Sequence, residues 1–216
     1  MKMNYHKMMM DEIEKITKEE RRPKLLLHSC CAPCSSYVIR FLANYFEIEV
    51  MFFNPNIYPE QEYHRRLEEQ IRLIKEMGLK FKVVGLEHDS HLFYSAVKGL
   101  EKLGEGTERC FKCFELRLDQ TARYAKEHDF EYFTTTLTIS PLKNAQKLNE
   151  IGEMLAAHYG VKFLNSDFKK NNGYKTSVEL SKQYNLYRQD YCGCVFSQQE
   201  AIERRKMMEE KKQAEA

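Results

Sequence analysis

The stretch Lys24 to Ser36, KLLLHSCCAPCSS, carries the reading of the fold. Its first half is a short apolar run of strand length that ends at Ser29, on a group of cysteines. From Ser35 to Tyr45 apolar residues recur at helical spacing, so the segment reads as strand, turn, helix. The alternation repeats downstream. Ile48 to Phe53 reads as a strand, Glu60 to Met77 as a charged amphipathic helix and Lys80 to Val84 as a strand. Phe111 to His128 reads as a helix, Glu131 to Leu137, with its three consecutive threonines, as a strand, Asn144 to His158 as a helix and Lys162 to Leu164 as a strand. Strands alternating with helices argue for an α/β fold, a parallel sheet covered on both faces with right-handed crossovers. Such sheets bind ligands at the carboxyl ends of their strands, where the first cysteines and Ser140-Pro141 both fall. Gly99 to Thr107 reads as a flexible glycine-rich loop and Asn171-Asn172-Gly173 as a turn.

All seven cysteines lie in three tight groups, Cys30-Cys31-Ala-Pro-Cys34, Cys110-Phe-Lys-Cys113 and Cys192-Gly-Cys194. Core packing gives no reason for free thiols to gather, because a lone thiol there behaves as a small apolar group. Metal ligation does give one: soft sulfur selects zinc, Cu(I) or iron-sulfur clusters, and closely spaced pairs can hold one centre from a single turn of backbone. Four thiolates close a tetrahedral zinc site, and seven exceed that need by three. Cys110 and Cys113 open a helix, where free amides and the dipole favour a thiolate, and Gly193 allows a tight bend between Cys192 and Cys194. Cys31 and Cys34, at a strand-to-helix junction, also have the placement of a thioredoxin-type dithiol, which leaves the remaining cysteines unexplained. The spacing alone leaves iron-sulfur, zinc and dithiol chemistry open.

A chain of 216 residues, 43% hydrophobic, can bury one substantial core. The expected organisation is a polar helical N-terminal extension over residues 1–22, one domain over 23–200 and a charged C-terminal tail over 201–216. A net charge of +2, from 34 basic and 32 acidic side chains, excludes a polycation that holds nucleic acid indiscriminately, so any such contact rests on a local patch. Met1 to Glu20 lacks the apolar core of a signal peptide and no apolar run reaches membrane-spanning length, so a cytoplasmic protein with no membrane contact is expected. In that reducing compartment, clustered cysteines read as metal-binding or catalytic rather than as disulfides.

The stretches LLLHSCCAPCSS (Leu25 to Ser36), FFNPNIYP (Phe52 to Pro59), RCFKCFELRL (Arg109 to Leu118), FTTTLTISP (Phe133 to Pro141) and YRQDYCGCVFS (Tyr187 to Ser197) resemble, in that order, the cobalamin-independent epoxyqueuosine reductase family, QueH. The resemblance covers about residues 24 to 200. It implies a Rossmann-like sheet of the HUP type with five parallel strands and the metal site at their carboxyl ends. Where relatives of that fold carry a phosphate-gripping Gly/Ser loop, this chain has Cys30 to Ser36, so ATP use is not expected. The implied reaction is two-electron removal of the epoxide oxygen of epoxyqueuosine at the wobble position of tRNA. The implied cofactors are a [4Fe-4S] cluster and a neighbouring mononuclear iron. Cys110 and Cys113 carry over as cluster ligands, and Cys30, Cys31, Cys192 and Cys194 complete a set of six shared between cluster and iron. Cys34 is expected as a supporting residue and Asp167 as an oxygen ligand to the iron.

An iron with an open position can act as a Lewis acid toward the epoxide oxygen, the cluster can pass electrons, and an external electron donor must recharge it. Tyr191, Asp190 and His28 are the candidate proton donors by their closeness to the cysteine motifs. The tRNA partner, met at its anticodon stem-loop, calls for basic side chains on phosphates and an aromatic plane under an unstacked base. Tyr187, Arg188 and Gln189 supply such a mixture beside the last cysteines, and Tyr58, Tyr63, His64, Arg65 and Arg66 another; Lys169 and Lys170 are further phosphate contacts. The competing classes are a zinc-stapled RNA-binding protein and a thiol oxidoreductase acting through Cys31 and Cys34. Oligomeric state is not legible in the residues.

Overall fold

The computed structural model describes residues 3–214. Its centre is a sheet of five strands, β1 (Lys24–His28), β2 (Glu47–Phe52), β3 (Val83–Gly85), β4 (Tyr132–Thr135) and β5 (Lys162–Phe163), in the order β3-β2-β1-β4-β5. Every pairing is parallel, with Leu26 of β1 opposite Glu49 on one side and Phe133 on the other. β1 is the middle strand and is apolar on both faces for that reason. Leu25 and Leu27 enter one core layer and Leu26 the other.

Helices cover both faces. α1 (Tyr5–Lys18) and α2 (Ala32–Leu42) build the first layer, where Met9, Ile13, Val38, Ile39 and Leu42 meet Leu25 and Leu27. The first of these belongs to the segment read as a polar extension. Its buried residues, Tyr5, Met9, Ile13 and Ile16, recur at one helical face, and Asn4 caps it by accepting from the Lys7 amide at 3.1 Å. α3 (Glu60–Glu76) follows β2, and α4 (Ser90–Ala96) leads to α5 (Glu108–Glu127). α5 and α6 (Ala145–Tyr159) build the opposite layer, where Phe114, Leu118, Leu148, Ile151 and Leu155 surround Leu26 and Phe133. α7 (Gly173–Gln183) packs on α2, and α8 (Val195–Ala214) completes the described chain. No helix of the described residues is long and apolar enough to cross a membrane.

Several boundaries differ from the sequence reading, each for a local reason. α2 starts at Ala32 because Cys31 is extended (φ −175°, ψ 160°) and Pro33 sits in the first turn, where a missing N–H costs nothing. The threonine strand stops at Thr135, whose hydroxyl accepts from the Leu137 amide and turns the chain into a 3-10 turn over Thr136–Ile139. Gly99 to Thr107 forms turns, with Gly99 and Gly106 at φ +83° and +85°, and the Glu105 amide held by the Glu200 carboxylate at 3.1 Å. α4 and α7 have no clear apolar period. The buried face of α7 is Gly173, Ser177, Leu180 and Ser181, three of them too small or polar to register as core.

Gly173 is the closest approach in that packing. A Cβ there would lie 1.9 Å from the Phe168 carbonyl oxygen and 2.7 Å from the Tyr37 ring. Gly173→Ala should therefore destabilise the fold by about 1–3 kcal/mol through overpacking, read as a lowered denaturant midpoint.

Candidate metal centre

The chain leaves β1 at His28 and immediately gathers three thiols. Cys30 and Cys31 occupy the bend, Cys31 as N-cap of α2, and Cys34 stands in the first helical turn. The three Sγ atoms lie within 4.8 Å of one another, and among the described residues no other group of three or more Cys, His or carboxylate ligands is so close. Cys30 and Cys31 Sγ are 3.9 Å apart, and the Thr136 hydroxyl lies 3.6 Å from Cys30 Sγ and accepts from its amide at 3.3 Å. Beneath them Gln70 Oε1 accepts from the hydroxyls of both Ser29 and Ser35 at 2.7 Å, all three residues being buried. Hydrogen bonds from Cys31 and Cys34 hold the Cys30 thiol well below its ordinary pKa. That shared hydrogen bond pushes Cys31 up to about 12. Cys31 and Cys34 are thus not an isolated dithiol.

The other four thiols form a second, looser group. Cys110 and Cys113 stand in the opening turns of α5, and Cys192 and Cys194 immediately precede α8. All four line one narrow cavity with the buried side chains of Arg109 and Arg117. Gly193 takes φ +133° between its cysteines, its carbonyl accepts from the Tyr58 amide at 2.9 Å, and the Cys192 carbonyl accepts from Arg66 Nη1 at 3.1 Å. A side chain at Gly193 would crowd Arg66, which is why the pair is spaced by glycine. The Gly106 amide donates to Cys110 Sγ at 3.3 Å and the Ser197 amide to Cys194 Sγ at 3.4 Å. Burial pushes Cys113 up to about 12 and raises Cys110 and Cys194. A soft metal cation removes that penalty by binding the thiolates, so the donor set fits one.

An open cavity of about 530 Å³ joins the two groups, lined by Cys30, Cys31, Cys34 and Cys192. Its walls are residues 139–143 after β4, Tyr174 and Ser177 of α7, and residues 188–192. Glu105 and Cys192 line both this cavity and the narrow one.

The model of the family described as Epoxyqueuosine reductase QueH matches residues 25–200, a span that contains all seven thiols. The chain belongs to the QueH family. Its sequence is 45% identical over 202 residues to Epoxyqueuosine reductase QueH of Staphylococcus epidermidis, covering 91% of this chain and 85% of that one. It is also 45% identical over 200 residues to the protein of the same name from Streptococcus pyogenes serotype M1, covering 91% and 78%. Among solved structures, the U34-tRNA thiolase NcsA from Methanococcus maripaludis with its [4Fe-4S] cluster aligns at a TM-score of 0.47 and 12% identity, over 88% of this chain and 68% of that one. That last likeness is too loose to build on.

In this QueH-family chain the structure brings Arg188, Gln189, Asp190 and Tyr191 to the open cavity, with Asp190 also 3.3 Å from Arg205. Burial raises the Tyr191 phenol, which therefore keeps its proton. His28 is not brought there. It is fully buried, its Nε2 donating to the Phe53 carbonyl at 3.1 Å and its Nδ1 accepting from the Thr135 hydroxyl at 2.9 Å. Burial lowers its pKa to about 4, so it is a neutral packing residue with no proton to deliver to the cavity. Asp167 lies outside the cavity and pairs with Lys169 at 2.6 Å; neither it nor Lys170 lines the site. Tyr187 stacks under Arg65, 3.5 Å from ring centroid to guanidinium carbon, and Tyr58 is exposed, both away from the cavity lining. Tyr63 and Arg66 are buried and unavailable to RNA.

Lys143, Tyr174 and Glu105 line the cavity without having been singled out in the sequence. Lys143 follows Ser140-Pro141 by two residues, and the carboxyl end of β4 was the signal that could have found it. Burial opposes its charge, yet Cys192, Cys30 and Cys34 outweigh this and raise the ammonium above its ordinary value. Tyr174 carried no signal, because α7 itself did not.

Gln70 supports the three-thiol bend only through its oxygen. Gln70→Leu leaves the buried Ser29 hydroxyl without its acceptor, while Ser35 keeps the Ala32 carbonyl at 3.1 Å, and should cost about 1–3 kcal/mol, measured by chemical denaturation of the metal-free protein.

Proposed function

We propose that the chain is an epoxyqueuosine reductase acting on tRNA, with its seven thiols divided three and four between a single iron and a [4Fe-4S] cluster. The observation that carries this reading is the presence of two sulfur groups of different spacing beside one open cavity. Thiolates on one ion at about 2.3 Å stand within about 4.6 Å of one another, a spacing that Cys30, Cys31 and Cys34, gathered within 4.8 Å, come close to. In a four-iron cluster each thiolate binds a different iron and the sulfurs stand further apart, as suits Cys110, Cys113, Cys192 and Cys194. Cys34 thereby becomes an iron ligand, and Asp167 is left out of the set.

The reaction takes an epoxide, two electrons and two protons to an alkene and water, breaking both C–O bonds. When bound, the metals supply Lewis acidity and electrons. The chain supplies the rest. The open cavity admits substrate to the thiols, and Tyr191 presents a proton from the 188–192 segment, where Asp190 stands beside it. Lys143 holds a positive charge beside the three-thiol group, where oxygen leaves as an anion. At the rim, exposed Arg188 meets a phosphate and Tyr174, 40% exposed, offers a plane to an unstacked base of the anticodon. An external donor returns the electrons. The tRNA partner fits a cytoplasmic enzyme.

Protein purified without oxygen should be brown, hold about five irons and four sulfides per chain and convert epoxyqueuosine in tRNA to queuosine. Zinc in place of iron, or a colourless protein without turnover, overturns the proposal. Cys110→Ala should abolish cluster absorbance and turnover together, whereas Cys34→Ala should keep the absorbance, lose one iron and lose turnover. Arg188→Ala should raise the Kd for tRNA about tenfold at low salt with the metal content unchanged, measured by filter binding.

A further inference from the structure

Among the described residues three arginines are buried to 3% exposure or less, and two of them have a carboxylate partner. Arg66 donates to Glu62 at 2.7 Å and Arg109 to Glu200 at 2.7 Å. Arg117, 1% exposed on α5, has none among the described residues. Its Nε donates to the Cys113 carbonyl at 3.2 Å, its Nη1 reaches Asn54 Oδ1 at 3.4 Å, and its Nη2 has no partner. The Phe114 ring, with its centroid 5.8 Å away, does not neutralise a full charge. A guanidinium removed from water without a counter-charge is strongly unfavourable, so a stable fold must supply negative charge nearby.

The candidates are sulfur. Arg117 stands one helical turn after Cys113 and lines the narrow cavity with Cys110, Cys113, Cys192 and Cys194. On its other side Asn54 donates to the Ser29 carbonyl at 2.9 Å, directly before Cys30 of the tight group. A hydrogen-bonded chain from Cys113 through Arg117 and Asn54 to Ser29 thus links the two thiol groups.

We propose that Arg117 is a positioning residue whose fixed positive charge stands between the two thiol groups, favouring metal loading there and reduction of the metals they carry. The inference rests on the metal-loaded reading above. Four thiolates around iron leave a net negative charge that grows when an electron arrives, and a cation buried beside them offsets that growth, because charges interact more strongly there than across water. Arg117 does not line the open cavity and touches no substrate in this scheme.

The test uses the full chain purified without oxygen, as wild type, Arg117→Met and Arg117→Lys, with iron content, midpoint potential by spectroelectrochemical titration and thermal midpoint of the metal-free protein as readouts. Arg117→Met should lower iron loading severalfold and move the potential of the remaining cluster to more negative values. Its metal-free form should melt no lower than wild type, since an unpaired buried cation has been removed. Arg117→Lys should keep loading and potential close to wild type. Wild-type loading and potential in Arg117→Met, or losses in Arg117→Lys as large as in Arg117→Met, overturn the inference. A wild-type protein that carries no iron overturns the metal-loaded reading instead.

Discussion

β1 pairs in parallel with both β2 and β4, and the chain leaves its two central strands toward opposite faces of the sheet. After β1 it enters α2, whose Val38, Ile39 and Leu42 pack into one core layer; after β4 it enters α6, whose Leu148, Ile151 and Leu155 pack into the other. Where the two connections part, their backbones cannot cover the strand ends, and a crevice must open there. The cysteine bend at residues 30–34 and the 139–143 segment are the lips of that crevice, and the other site segments are added to it.

That placement is costly, because thiols and cations are drawn into a poorly solvated space. The fold offsets the cost with polar groups that serve the backbone. Gln70 ties Ser29 to Ser35 beneath the bend, Thr136 engages Cys30, and Arg66 takes the Cys192 carbonyl while paired with Glu62. The cysteines at residues 192 and 194 reach the site only because Gly193 adopts a conformation that other residues rarely take and because Tyr58 binds its carbonyl. Segments far apart in sequence are thereby held by hydrogen bonds that do not depend on metal.

Much of the architecture was legible. Buried parallel strands are continuous apolar runs and amphipathic helices carry a 3.6-residue period, so β1, β2, α3, α5 and α6 stood close to where the spacing put them. α7 was invisible because its buried face is made of glycine, serines and one leucine, and α1 hid its core contribution behind a charged outer surface. Closeness in sequence misled at His28. It sits two residues before Cys30, but strand alternation turns it to the interior, where Phe53 and Thr135 occupy both ring nitrogens.

The sequence by itself determined the class of fold and the softness of the site's chemistry, because both are local: periodicity follows from backbone geometry, and sulfur density is a property of the residues. The tertiary structure alone decided which thiols stand together. Cys34 joins Cys30 and Cys31 because the helix starts at Ala32, and Cys192 meets Cys110 and Cys113 because α5 and α8 begin at the same cavity. It also decided that Arg117 lies between the groups without a carboxylate, since distances across a fold depend on packing that no single stretch of chain encodes.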